Sequence, residues 1–165
     1  MRANERTVAV MNEQIDALTR PYVTMGLMIV PNSHIFYLRI ANTGKTGANN
    51  VRLFMDRDFF QYGRQPGTNL REVSAFTEPI QQLTPGQEIV FGLAMGPQLV
   101  GDKLNPTLTP PVFSIKATYS YADRIVNEET TIDVRPYRDS MRAPSATATE
   151  LAGIKAALEK LASRG

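Results

Sequence analysis

The sequence predicts an all-β protein, an immunoglobulin-like antiparallel β-sandwich of about seven strands with short amphipathic helices at both termini. Between Tyr22 and Val134, apolar and polar residues alternate with period two in short runs, the pattern of strands that bury one face. Turn residues separate these runs, so antiparallel pairing is favoured over a parallel sheet with helical crossovers. At both ends of the chain the apolar period changes to three and four.

Val8, Met11, Ile15 and Leu18 recur at helical spacing, with Asn12, Glu13, Gln14 and Asp16 among them. This predicts an amphipathic helix over residues 1–20 that ends at Pro21, because proline disfavours helical backbone in the residue before it. From Tyr22 the period is two. Val23, Met25, Leu27 and Ile29 share one face, and Pro31-Asn32-Ser33 supplies the stop. The next strand, Ile35 to Ala41, sends Phe36, Leu38 and Ile40 to one face and Ile35, Tyr37 and Arg39 to the other, and one of these faces is core. After the loop Asn42 to Gly47, Val51, Leu53 and Met55 resume the alternation. A short irregular strand is expected over Phe59 to Tyr62, a surface excursion over 63–71, and an edge strand over Ala75 to Ile80 with Pro79 keeping it off the sheet centre. Leu83-Thr84-Pro85-Gly86 is a turn into the strand carrying Ile89, Phe91 and Leu93. Gly96 to Pro111, with four prolines, is the longest connection. Phe113, Ile115, Ala117, Tyr119 and Tyr121 share a face, and Ala122-Asp123 turns the chain into Arg124 to Val134. The expected organisation is therefore a helix at 1–20, a sandwich at 21–134, a linker at 135–149 and a helix at 150–163, where Leu151, Ile154, Leu158 and Leu161 repeat the first helix's spacing.

The chain has 165 residues, enough for one domain with a full core and appendages. Its net charge of +2 is unevenly placed. Residues 21–134 hold nine Lys/Arg against ten Asp/Glu, whereas the six basic residues after Val134 face only Asp139, Glu150 and Glu159. That tail is weak beside the clustered basic faces of nucleic-acid binders, so nucleic acid is not the expected partner. There is no cysteine, which excludes disulfides and thiolate metal sites and suits a reducing cytoplasm. No run approaches the ~20 apolar residues that cross a bilayer as a helix.

The order Arg20-Pro21-Tyr22-Val23, Ile40-Ala41-Asn42-Thr43-Gly44, Ala48-Asn49-Asn50-Val51-Arg52-Leu53, Leu83-Thr84-Pro85-Gly86 and Tyr119-Ser120-Tyr121-Ala122-Asp123 resembles bacterial immunoglobulin-like modules of the adhesion and accessory kind. The resemblance covers about two-thirds of the chain and specifies fold better than role. It also implies a context. Such proteins often begin with a membrane helix and a short coil before the Arg-Pro-Tyr-Val start, so residues 1–20 would be the coil. The expected location is cytoplasmic, with membrane association only through an N-terminal anchor outside this sequence.

Residues suggestive of chemistry are few. Gly44-Lys45-Thr46 copies the end of a phosphate-binding loop, but Arg39 stands where that loop needs its first glycine, and the segment joins two strands. His34 is the only histidine, and Ser33 beside it points to the opposite strand face. Asp56, Asp58, Asp123, Glu128, Glu129 and Asp133 lack the spacing of a calcium loop. No catalytic residue, cofactor or metal ligand is assigned. Tyr119 or Tyr121 is expected to be buried with its hydroxyl bonded to backbone. Phe54, Phe59, Phe60, Tyr62 and Phe76 fill the core or form a contact patch.

The terminal seams are the strongest functional signal. Val8, Met11, Ile15, Leu18, Leu151, Ile154, Leu158 and Leu161 are the candidate association residues. Three arrangements would bury them: the last helix folds onto its own sandwich, the two helices pair within the chain, or the helices of separate chains associate. The expected function is a non-enzymatic protein-interaction module that binds itself and a possible heteropartner. The competing expectation is a sensor or accessory subunit of a membrane-associated or defence assembly, with loops 42–50, 63–71 and 96–111 as its recognition surface.

Overall fold

The computed structural model of the chain describes residues 2–31, 33–138 and 146–162. In the terminal helices the side chains of residues 2–6, 9, 12, 13, 17, 146–149, 152, 157, 158 and 161 lie outside that description. Among the described residues, seven strands form two antiparallel sheets. One contains β1 (Val23–Ile29), β2 (Ile35–Asn42) and β5 (Glu88–Met95) in the order β1-β2-β5. The other contains β3 (Ala48–Met55), β4 (Ile80–Leu83), β6 (Val112–Tyr121) and β7 (Arg124–Asp133) in the order β4-β3-β6-β7. This is an immunoglobulin-like pairing in which the fourth strand sides with the third. Helices α1 (Arg2–Thr19) and α4 (Ala146–Ala162) lie at the termini, and the single turns α2 (Ser74–Thr77) and α3 (Gly96–Leu99) lie between strands. No helix among the described residues is long and apolar enough to cross a membrane.

The period-two pattern builds the core. Val23 and Met25 of β1, Phe36, Leu38 and Ile40 of β2, Leu53 and Met55 of β3, Leu93 of β5, and Phe113, Ile115, Ala117 and Tyr119 of β6 all face inward and are buried. In β3 the alternation would send Val51 outward after Ala48. A register shift between Asn49 and Arg52, with Asn50 at φ 51°, absorbs the extra residue and returns Val51 to the core. Ala122 and Asp123, both at positive φ, make the tight turn whose twist suits the β6–β7 hairpin.

One expected strand is not formed, and the expected edge strand starts later in the chain. Phe59 to Tyr62 makes only the isolated bridge Phe60↔Asn69, followed by a 3-10 turn over Gln61–Gly63. The chain turns there because Tyr62 and Gly63 both adopt positive φ. Over Ala75 to Ile80, α2 takes the first residues, and the strand begins only at Ile80, after Pro79. Phe76 packs against Phe91 with ring centroids 5.9 Å apart. At the other end of the chain α4 starts at Ala146, inside the expected linker, where alanines at 146 and 148 favour helix.

The excursion between β3 and β4 is built inward. Phe59 and Leu70 are buried, and the Phe59 ring lies 5.2 Å from that of Phe113. The excursion also covers an exposed sheet edge at β5. The Gln61 side chain donates to the Gly92 carbonyl at 2.6 Å, and the Tyr62 hydroxyl occupies the space a Cβ on Gly92 would need.

Candidate functional site

The described side chains of the α1 seam stay uncovered. Val8, Met11 and Ile15 are each more than half exposed, and Leu18 is 74 % exposed. In α4, Leu151 and Ile154 are also more than half exposed. Leu158 and Leu161 belong to the same helix, but their side chains lie outside the described residues. Thus neither the sandwich nor the other helix covers the six described seam residues. They form two separate apolar stripes.

A network at the end of α1 joins helix to sandwich. The Asp16 carboxylate pairs with the Arg124 guanidinium of β7 at 2.7 Å. The Thr46 hydroxyl donates to the Thr19 carbonyl at 2.8 Å, the Lys45 N–H to the Arg20 carbonyl at 3.3 Å, and the Thr43 N–H to the Tyr22 carbonyl at 2.8 Å. The first two bonds occupy carbonyls at the helix end, which would otherwise lack partners, and the third ties the start of β1 to the β2–β3 loop. The Arg20 guanidinium lies 4.0 Å from the Tyr22 ring centroid and 3.7 Å from Glu128. Burial opposes the charge on Arg20, but Tyr22 and Glu128 outweigh it, so its pKa is raised.

Tyr119 completes the joint from inside the core. It is 1 % exposed, and its hydroxyl lies 3.0 Å from the Pro21 carbonyl and 3.3 Å from Glu128 Oε1. Burial first, and then the Glu128 charge, push its pKa up to about 12. A free tyrosine titrates near 10. The fold therefore holds this proton more tightly than the unfolded chain does. The resulting stability is complete below about pH 10 and is lost as pH rises through about 12. Tyr119→Phe is expected to cost about 1.5 kcal/mol at neutral pH, chiefly by leaving the Pro21 carbonyl without its partner. It should also remove an ionisation step near pH 12 from the alkaline absorbance titration. An unchanged urea midpoint together with an unchanged titration would refute this role.

Most of the remaining candidates have structural partners. In the Gly44-Lys45-Thr46 segment the Gly44 N–H donates to Asn42 Oδ1, and the Lys45 N–H is taken by Arg20. Those two N–H groups are therefore engaged within the protein. His34 is exposed, while Ser33 accepts from the Ile35 N–H and lies 3.3 Å from the Tyr37 hydroxyl. Asp58 pairs with Arg71 and Asp133 with Arg135. Asp56 accepts from Arg57 and from the Ser114 N–H; partial burial disfavours its charge, but these bonds prevail and its pKa is lowered. Of the aromatic group, Phe59 is buried, Phe60, Tyr62 and Phe76 are half-buried, and Phe54 is exposed with Arg71 5.9 Å from its ring centroid.

Asp16, Arg20, Asn42, Gly44, Arg124 and Glu128 were not among the residues singled out for the association site. Periodicity cannot find an ion pair whose members are 108 positions apart. A usable local signal lay in Asn42-Thr43-Gly44, since asparagine beside a glycine turn often bonds nearby backbone.

The fold and the joint define an immunoglobulin-like sandwich carrying a clamped N-terminal helix. The chain belongs to a family described as a domain of unknown function (DUF8453), which matches residues 1–138. That match takes in α1 and the whole sandwich and ends before α4. No curated protein matches the chain.

Proposed function

We propose that this chain is a non-enzymatic protein-interaction module that self-associates through its terminal helices and presents sandwich loops to a partner. The observation that supports this reading most is the exposure of Val8, Met11, Ile15 and Leu18 beside a sandwich that closes its own core without them. A lone helix of this length is marginal in water, and sharing the stripe with another chain stabilises it. The resemblance to adhesion and accessory modules supports the same reading.

Topology separates the two proposed surfaces. The α1 joint sits where β1 begins and β2 ends, whereas the loops at 63–71 and 96–111 follow the opposite ends of β3 and β5. The segment leading into the first of these loops is bonded to the second: Gln98 donates to the Tyr62 carbonyl at 2.9 Å, and the Phe60 N–H donates to the Leu108 carbonyl at 2.8 Å. Arg64 to Gly67 and Asn105 to Thr107 remain exposed there. The loop at 42–50 is in part committed to the joint. A sensor or accessory subunit would use the same distal face for a heteropartner.

In light scattering over a concentration series, the parent chain is expected to approach dimer mass or more. Val8→Asp combined with Ile15→Asp should stay monomeric while keeping its β-sheet circular dichroism. A parent that remains monomeric throughout contradicts the proposal. Loss of the β signal in the variant would place α1 in the fold and not in an interface.

A further inference from the structure

We infer that α1 pairs with α1 of a second copy of this chain as a parallel two-stranded coil, setting the two sandwiches side by side at the same end. The inference rests on the self-association reading above and adds the partner segment, its direction and its consequence.

The first observation is which way the seam faces. Asp16 is held by Arg124, and at 100° per residue its position lies roughly 130° around the helix from the midline between Ile15 and Leu18. The clamp therefore uses a different face of α1 from the seam. Leu18 is one residue from Thr19, whose carbonyl is bonded to Thr46, yet it is 74 % exposed. The chain's own sandwich turns this stripe toward solvent.

The second observation is the residue types. Val8 and Ile15, both β-branched, fall at one core position of the heptad, and Met11 and Leu18, both unbranched at Cβ, fall at the other. In a parallel pair each core position meets its own counterpart, and there β-branched residues at the first position with leucine at the second favour two strands, whereas an antiparallel pair would set the two kinds against each other. Flanking charges add no obstacle. Thr7 and Gln14 on one side of the seam would meet Asn12 and Thr19 of the second copy in parallel register, and all four are uncharged. The charged Arg2, Arg6, Glu13 and Asp16 fall at outer heptad positions, and Glu5, which shares the flanking position of Asn12 and Thr19, meets no residue of the second copy's helix in this register.

Length sets the strength. An 18-residue helix is about 27 Å long, and four seam residues per chain fall short of the roughly 1,200 Å² that a stable interface buries. The pair is thus weak and concentration-dependent. Because the joint fixes α1 on its sandwich, parallel pairing points both loop faces the same way. A partner bearing two sites would then be held far more tightly than one bearing a single site.

The chain has no cysteine, so an introduced thiol reports its own neighbours. Full-length L18C, mildly oxidised, is expected to form a disulfide dimer at least about tenfold faster than N127C. Asn127 is exposed on the sandwich and supplies the collisional background. An equimolar mixture of V8C and L18C should give the two homodimers, because antiparallel pairing is what places residue 8 opposite residue 18. Predominant V8C–L18C heterodimer overturns the parallel direction and leaves self-association standing. Background cross-linking by L18C both alone and in the mixture with V8C, with the parent still dimeric in solution, overturns the use of α1. Background cross-linking with a monomeric parent overturns the proposed function as well.

Discussion

Asn42→Asp is expected to remove on the order of 4 kcal/mol of folding stability at neutral pH, a large share of the 5–15 kcal/mol typical of a domain. Asn42 is fully buried at the end of β2, and its amide serves four backbone groups at once. Nδ2 donates to the Thr46 carbonyl at 2.7 Å and the Leu83 carbonyl at 2.9 Å, while Oδ1 accepts from the Tyr22 N–H at 3.1 Å and the Gly44 N–H at 3.0 Å. One side chain therefore ties together the start of β1, the β2–β3 loop and the end of β4. A carboxylate keeps the two acceptor bonds but sets an oxygen against two carbonyls in a site closed to water. The penalty combines unsatisfied buried acceptors with a buried charge. The introduced carboxyl should have a raised pKa, so the deficit should narrow as pH falls and its neutral form recovers one donor. Urea denaturation at pH 7 and pH 4 measures both effects. A variant within about 0.5 kcal/mol of the parent at pH 7 would show that these bonds do not hold the joint.

Local pattern made much of the sandwich legible. The β6–β7 hairpin followed from alternating Phe113, Ile115, Ala117 and Tyr119 and from Ala122-Asp123, and the register pairs Tyr121 with Arg124 across that turn. The segment from 56 to 79 was read less well because its course is set by side chains distant in sequence. Asn69 Oδ1 accepts from the N–H groups of both Phe59 and Arg71, while its Nδ2 donates to Asp58. Aromatic residues at 59, 60 and 62 have strand propensity, but this bracing and the positive φ of Tyr62 override it. The seam of α1 was equally legible as a period. Its exposure was not, since that depends on where Asp16 meets Arg124, a pairing that exists only once β7 is in place.

Gly44→Ala tests whether the joint depends on close backbone approach. A Cβ on Gly44 would lie 2.5 Å from the Tyr22 nitrogen and 2.6 Å from the Pro21 Cα, and closer still to the Arg20 carbonyl oxygen. All three neighbours are backbone, so no side chain can swing aside. The loop must withdraw, lengthening the bonds from Lys45 to Arg20 and from Thr46 to Thr19. A cost of about 3 kcal/mol is expected, at the upper end for inserting a methyl group into packed structure. Gly86→Ala provides the contrast. Gly86 has φ 78° with open space around its Cβ position, so its substitution carries backbone strain alone, about 1 kcal/mol. The two variants should also differ in place. Gly44→Ala should speed hydrogen exchange in the last turn of α1, while Gly86→Ala leaves that turn unchanged. If both variants cost the same and neither alters exchange in α1, the helix is not clamped through this loop. If they separate as expected, the glycine that resembled part of a phosphate loop is required because the β2–β3 loop passes directly against the chain linking α1 to β1.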